Sequence, residues 1–168
     1  MKVKTDKKGF TLIELLAVIV VLALIMILAV PGVLTAMNNS KKKTFQLYGT
    51  RLVNKAIEAV ESERLLGSSA PRKYNNNPCY QISDLGITSQ GSYQGFVLVI
   101  PSDLVDANGK NLTEYKVYLT DNTFAYNGTD YISVQGDANA IKTSAEDIAA
   151  VKTALNSCSA STPTPSGE

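Results

Sequence analysis

The stretch FTLIELLAVIVVLALIMILAV, residues 10–30, is the most apolar part of the chain and decides its first element. From residue 10 to residue 37 the only charged side chain is Glu14. A helix rises about 1.5 Å per residue, so roughly 20 apolar residues cross the hydrocarbon core of a bilayer. The stretch therefore predicts a membrane-spanning helix with one carboxylate near its start.

Composition limits what the rest of the chain can do. The 168 residues carry a net charge of +1, with 45% hydrophobic residues, two cysteines and no histidine. The near-zero net charge gives no general attraction for nucleic acid, which is not expected as a direct, specific ligand. We expect no enzyme, no cofactor and no metal site, because the sequence has no metal-ligand cluster, nucleophile elbow or phosphate loop.

A cleaved secretory signal is the alternative interpretation of the N-terminus. Lys2, Lys4, Lys7 and Lys8 precede the apolar run, as basic residues do in such signals. The run is longer than an ordinary signal and contains a carboxylate, which favours a membrane anchor. Lysines 41–43 follow the run closely, so the positive-inside rule gives only a weak preference for a cytoplasmic N-terminus.

The segment KGFTLIE, residues 8–14, followed by the apolar run, resembles the leader of type IV pilins and pseudopilins. The resemblance implies that a prepilin peptidase cuts between Gly9 and Phe10 and methylates Phe10 as the new N-terminus. Glu14 is then the fifth residue of the processed chain, and Pro31 matches a proline that is frequent in this family. The match covers residues 7–31, and beyond the N-terminal helix it is only architectural.

The position of Glu14 agrees with this resemblance on physical grounds. A carboxylate in a bilayer costs several kcal/mol, in order of magnitude, unless it finds a partner. Cleavage creates a positive amine on Phe10, one helical turn from Glu14, so pairing within one chain is conceivable because positions i and i+4 share a helix face. The family implies that the partner is the Phe10 amine of a neighbouring subunit, which would set the axial register. A Glu14 that reaches water at the membrane interface is the alternative.

The second half of the helix is expected to be amphipathic. Apolar side chains recur at spacings of three and four, and they are Phe45, Tyr48, Leu52, Ala56 and Val60. Pro31 and Gly32 predict a kink or weak segment, and residues 67–71 predict the helix end. One helix of over fifty residues is therefore expected. The alternative, an anchor joined to a separate helix, differs only in whether residues 31–40 are helical.

The remaining sequence predicts a small α+β head. Residues 72–92 are interpreted as a loop-rich connector with a short helix near Ser83, Asp84 and Leu85. Four strands are expected, and they are 96–100, 115–120, 123–126 and 131–134. Thr143 and Glu146 predict a capping box that opens a helix through Leu155, with Ile148, Val151 and Leu155 facing inward.

Two further features concern the head. Asp106, Asn108 and Lys110 faintly suggest a calcium loop, but a hairpin turn at residues 108–109 fits them better. Cys79 and Cys158 flank the expected sheet and are predicted to form a disulfide, although two free thiols are the alternative. A bridge would stabilise the head by roughly 4–5 kcal/mol in the chain-entropy estimate, which is an upper figure.

These features predict five segments of a pilin fold: an α+β fold in which a long helix packs on an antiparallel sheet of about four strands with a short C-terminal helix. The segments are a leader at residues 1–9, a transmembrane and assembly half at 10–37, an amphipathic half at 38–66, a head at 67–158, and a flexible tail at 159–168.

The leading functional prediction is a structural subunit of a type IV pilus. A pseudopilin of a type II secretion or competence machine and a non-polymerising anchored surface protein are the alternatives. The implied partners are prepilin peptidase, other pilin subunits, the cytoplasmic membrane and a pilus assembly platform. The implied locations are the membrane for the precursor and the cell surface for the filament.

Overall fold

The structure is a computed structural model that describes residues 9–68, 70–88, 92–105 and 111–160. The chain divides into two compact units between Lys41 and Lys42, and each unit is described by itself. Three predictions fall wholly or partly outside the described residues: the leader before Gly9, the turn or calcium loop at 106–110, and the flexible tail predicted at 159–168. Residues 159–160 of that tail are described and form a short strand.

Helix α1, Leu12–Leu66, is a single element of 55 residues. Pro31 lies inside it, and residues 31–40 are helical throughout. The continuous helix is therefore confirmed, and the separate juxtamembrane helix is wrong. In the first unit every described side chain is exposed, as expected for a helix that is apolar on all sides and has no partner within its own unit.

In the second unit α1 buries one face. Its buried residues are Phe45, Gly49, Leu52, Val53 and Ala56. Three of the five predicted core positions are fully buried, whereas Tyr48 and Val60 are half-buried. The helical spacing of apolar residues therefore predicted correctly which face of this half of α1 is buried.

The head contains a six-stranded sheet in which every described pair of neighbours is antiparallel. Its strands are β1 Arg72–Tyr74, β2 Asn77–Gln81, β3 Gln94–Val105, β4 Asn111–Thr120, β5 Ala125–Asp130 and β6 Ser159–Ala160. The order across the sheet is β5-β4-β3-β2-β1-β6. Strands β1 to β5 thus form a meander, and the C-terminal strand β6 is added at the edge next to β1.

Both faces of this sheet are covered, which agrees with the continuous apolar run at residues 96–100 of β3. Val97 contributes to a core that contains Phe45 and Leu52 of α1 together with Tyr126 of β5. Phe96 and Leu98 contribute to a second core with Cys79, and helix α3, Ala145–Ser157, adds Ala154 to it. The head therefore has helix α1 on one face of the sheet and helix α3 on the other.

The expected connector at residues 72–92 was wrong in its first part, which forms the hairpin of β1 and β2. Asn75 and Asn76 have φ angles of 46° and 67°. Asparagine tolerates this left-handed region, and two such residues in a row make the tight turn that suits a hairpin. Residues 82–86 form turns, so the short helix expected near Asp84 is absent from this described part of the chain.

The strand expected at residues 131–134 is also wrong, because this segment forms helix α2, Tyr131–Gly136. Tyr131 and Val134 are three residues apart and share a helix face. The buried Val134 belongs to the α1 core, and the Tyr131 hydroxyl donates to Asn54 Oδ1 at 2.7 Å. Tertiary packing therefore decides this segment. The strand before it is β5, which begins and ends later than predicted.

The final helix is confirmed, but its start is shifted by one residue. The N-cap of α3 is Ser144, whose hydroxyl accepts from the Asp147 N–H at 3.0 Å and donates to Asp147 Oδ2 at 2.7 Å. The capping box therefore uses Ser144 and Asp147 instead of Thr143 and Glu146. Of the predicted inward residues Val151 is buried, while Ile148 and Leu155 are half-buried.

Candidate processing and assembly site

Gly9, Phe10 and Thr11 precede α1 and are not helical. The Phe10 side chain is 91% exposed, and a Cβ built on Gly9 would meet no other atom within 4 Å. The bond between Gly9 and Phe10 thus lies outside helical backbone. This arrangement suits cleavage, because a peptide bond within a helix is engaged in the helical hydrogen-bond ladder.

Thr11 and Glu14 cap the start of α1 reciprocally. The Thr11 N–H donates to Glu14 Oε2 at 2.8 Å, and the Thr11 hydroxyl donates to the same oxygen at 2.7 Å. The Glu14 N–H donates in turn to Thr11 Oγ1 at 3.4 Å. This is a capping box, in which Thr and Glu three residues apart satisfy donors that the helix end leaves unpaired.

The capping box leaves part of the Glu14 carboxylate available. Both bonds to Thr11 end on Oε2, and Oε1 accepts no hydrogen bond from any residue within the described ranges. A carboxylate has lone pairs on both oxygens and accepts several bonds at once. Glu14 can therefore hold the helix start and still accept a bond from an amine.

The Thr11–Glu14 capping box was missed in the sequence although its signature is present. A threonine followed three residues later by glutamate, just before an apolar run, is a sequence signal for a helix start. The sequence interpretation considered Glu14 only as a partner for an amine. The helix therefore begins at Leu12, directly after the residues that the processing prediction concerns.

Pro31 is the remaining predicted assembly residue, and it lies far along the helix from the others. It has no N–H to donate to the carbonyl of Ile27, as any helical proline lacks this bond. The Thr35 hydroxyl donates to the carbonyl of Pro31 at 3.1 Å. The helix continues through this position, and the kink expected there stays a prediction.

The predicted disulfide is confirmed in the head. Cys79 and Cys158 are bonded, with a Cα–Cα distance of 6.2 Å and a sequence separation of 79. Both residues are buried in the core beneath α3. The Gln81 side chain also donates to the Cys158 carbonyl at 2.9 Å, so the end of α3 is held by a covalent bond and a hydrogen bond.

Other polar contacts in the head hold its elements together. Arg72 Nε lies 2.8 Å from Asp84 Oδ2, and the same oxygen accepts from the Gln81 N–H at 2.9 Å. The Tyr80 hydroxyl donates to Glu63 Oε2 of α1. Burial is the larger cause, and this carboxylate the smaller cause, of a raised Tyr80 pKa. Burial also raises the pKa of Tyr126 to about 12. The Arg72–Asp84 and Tyr80–Glu63 contacts join separate elements of the head.

The predicted site residues thus fall into separate groups. Gly9, Phe10 and Glu14 lie within six consecutive residues around the start of α1, while Pro31 lies well along that helix and the cysteines belong to the head. The prokaryotic N-terminal methylation motif matches residues 4–30. No curated protein and no solved structure matches the chain.

The motif and the geometry lead to one assignment. The match begins among the N-terminal lysines, includes the predicted cleavage position and the Thr11–Glu14 capping box, and ends within the apolar half of α1. The long helix, the antiparallel sheet and the C-terminal helix form a pilin-like α+β fold. The chain therefore carries the class III signal peptide of type IV pilins and pseudopilins on a pilin-like fold.

Proposed function

We propose that the chain is a non-catalytic structural subunit of a type IV pilus. In this proposal, prepilin peptidase removes residues 1–9 and methylates Phe10. The processed subunit waits in the cytoplasmic membrane and then joins a surface filament through α1. The observation that carries the proposal is the methylation motif at residues 4–30, with Phe10 and Glu14 at its centre.

The first unit supports assembly through α1. Its apolar side chains are exposed on all sides of the helix, and Leu28 for example is 83% exposed. This stretch is the one helix in the described part of the chain that is long and apolar enough to cross a membrane. A surface of this kind needs lipid or other apolar helices around it. A membrane before assembly and a bundle of identical helices afterwards would supply both.

Glu14 gives this bundle its specificity in the proposal. Oε1 of Glu14 has no donor among the residues described, and cleavage would create a positive amine on Phe10 of each subunit. In an apolar bundle, a neighbour in the wrong register would leave two buried charges unpaired. The Phe10 amine of a neighbouring subunit is therefore the partner that we propose for Glu14.

The test separates the charge of Glu14 from its capping role. Glu14→Gln keeps a side chain that suits a capping box but removes the charge, whereas Thr11→Val removes the hydroxyl and leaves the charge. We expect Glu14→Gln to insert and to be cleaved but to give no sheared filaments. Thr11→Val is expected to retain filaments. Immunoblots of the sheared and membrane fractions measure both results.

Glu58→Gln is the matched control, because Glu58 is an exposed carboxylate of the same helix outside its apolar half. It is expected to keep normal filaments. Filament assembly by Glu14→Gln would contradict the proposed charge pair. N-terminal sequencing of the processed chain should begin at methylated Phe10, and any other first residue overturns the processing step.

A pseudopilin of a secretion or competence machine shares the same motif. The motif match covers the N-terminal segment that both kinds of subunit use, so it supports either one equally. Electron microscopy of cells at native expression distinguishes them. Long surface fibres labelled by antibody to the head support the pilus, and their absence in cells that contain the processed subunit favours the pseudopilin.

A further inference from the structure

A collar of polar residues surrounds α1 where its apolar run ends. We define the polar collar as residues 38–44, with the sequence NNSKKKT. Seven consecutive helical residues, at about 100° each, complete almost two turns and so place polar groups on every side of the helix. Lys41, Lys42 and Lys43 supply the charge of the collar, and Lys41 and Lys43 are exposed while Lys42 is half-buried.

The position of the collar along α1 matches the thickness of a bilayer. From Leu12 to Lys41 the helix rises roughly 44 Å, at 1.5 Å per residue. A bilayer with its headgroup layers is about 40–45 Å thick. When the start of α1 lies at one surface of the membrane, Lys41 therefore reaches the headgroup layer of the other. Lysine also carries its charge on a long apolar stem, which lets the ammonium reach phosphates above or below its own level.

The charge of the collar is not neutralised within α1. The sequence contains no Asp or Glu between Glu14 and Glu58. Glu58 is paired with Lys55, whose Nζ lies 2.5 Å from Glu58 Oε2. Lys41, Lys42 and Lys43 form no ion pair with any residue for which the structure gives a position. Three positive charges are therefore available to a ligand outside the chain.

We propose that Lys41, Lys42 and Lys43 bind the phosphate groups of anionic phospholipids and so fix the depth of the subunit in the membrane before assembly. Duplex DNA carries similar phosphates, but lipid phosphates are already present at the level of the collar wherever α1 spans the bilayer. The inference rests on the membrane stage of the proposed function and not on polymerisation. It assigns a role to a segment outside the methylation motif.

The experiment measures lipid selectivity around the full chain in vesicles. The protein is reconstituted into phosphatidylcholine vesicles with a trace of spin-labelled phosphatidylglycerol or spin-labelled phosphatidylcholine. The motionally restricted fraction of each label gives the relative association constant of the anionic lipid. We expect the Lys41→Gln/Lys42→Gln/Lys43→Gln variant to lower this constant at least about twofold, since each lysine near the surface attracts anionic lipid.

Two controls accompany this variant. Lys73→Gln/Lys142→Gln/Lys152→Gln removes the same charge from exposed head lysines and is expected to leave the selectivity unchanged. Lys41→Arg/Lys42→Arg/Lys43→Arg keeps the charge and is expected to retain it. The near-ultraviolet tyrosine spectrum verifies that the head is folded in each variant, because all eight tyrosines lie between residues 48 and 131.

Three outcomes overturn the inference. The first is a collar variant with the same relative association constant for anionic lipid as the wild type. The second is a head-lysine variant in which this constant falls as much as in the collar variant, which would indicate general charge attraction. The third is lysine-dependent binding of a DNA duplex to the chain in neutral vesicles with no preference for anionic lipid. Absence of any motionally restricted lipid would instead contradict the membrane stage of the proposed function. Failure of the Glu14 pairing is detected separately, because only the filament assay responds to it.

Discussion

The two stretches of α1 contain similar apolar residues but use them differently. In the first unit the side chains are exposed all round, as Leu28 is at 83%, whereas Phe45 and Leu52 in the second unit are fully buried. The second stretch repeats its apolar residues at spacings of three and four, and its partner is the sheet of the same chain. A helix with apolar residues on one face therefore packs against another element of the same chain. A helix that is apolar on all sides needs lipid or other subunits around it.

This comparison predicts that changes in the head lower its free energy of unfolding, while similar changes in the first unit do not. The largest effect is expected for Cys79→Ala/Cys158→Ala. Loss of a bridge with a sequence separation of 79 should lower that free energy by up to roughly 4–5 kcal/mol, because the unfolded chain is no longer constrained. Urea unfolding of the full chain in detergent, followed by the near-ultraviolet tyrosine signal, measures the change.

The helical far-ultraviolet signal of the apolar half serves as the internal control for the cysteine variant. It should persist after the head has unfolded, because the disulfide lies in the second unit. An unfolding midpoint equal to that of the wild type would show that the bridge contributes nothing measurable.

The second prediction compares Phe45→Ala with Leu22→Ala. The Phe45 ring lies 5.0 Å from that of Tyr126 and 5.7 Å from that of Phe124, between ring centroids. Its removal should cost about 3–5 kcal/mol of head stability, since it leaves a cavity in this core. Leu22 is half exposed, and its removal should change head stability by less than about 0.5 kcal/mol. The same urea titration measures both, and equal losses would refute the difference between the stretches.

The smallest expected effect concerns two glycines of the same helix. A Cβ on Gly49 would lie 3.0 Å from atoms of Tyr126 and Val134, whereas a Cβ on Gly32 would meet nothing within 4 Å. Gly49→Ala should therefore destabilise the head by about 1–3 kcal/mol, because the core must shift to admit a methyl group.

Gly32→Ala should leave head stability unchanged and slightly favour the helix, by about 0.5–1 kcal/mol of intrinsic preference. Thermal unfolding of both variants in detergent compares them directly. A Gly49→Ala head as stable as the wild type would mean that Tyr126 and Val134 move aside at little cost.

The sequence was sufficient for the features that depend on long patterns. The 55-residue helix α1 was predicted from an apolar run followed by apolar residues at helical spacing, and both patterns are too long for a strand. The disulfide was predicted because one cysteine precedes and the other follows the strands expected from the sequence, and the structure contains this bond. The methylation motif was recognised from the resemblance around Gly9, Phe10 and Glu14, and the family model matches residues 4–30; cleavage after Gly9 stays a prediction.

Short segments were predicted less well, because contacts from elsewhere in the chain decide them. The segment that begins at Tyr131 has residues typical of a strand, but Val134 and the bond from Tyr131 to Asn54 hold it as a helix against α1. The β1–β2 hairpin has three strand residues on one side, too few for a periodic signal, although Asn75 and Asn76 are typical of its turn. Thr143 and Ser144 are both residue types that favour the N-cap position, so the sequence alone did not distinguish them, and Ser144 is the N-cap in the structure.

The pairing of the last strand, β6, with the first strand, β1, affects when the head can fold during synthesis of the chain. Lys73 of β1 pairs with Ser159 of β6, and Cys79 requires Cys158. A nascent chain that has not yet supplied these last residues leaves β1 without its second neighbour and Cys79 without its disulfide partner. The head is therefore complete only after residues 158–160 have been synthesised and have reached the compartment in which the head folds.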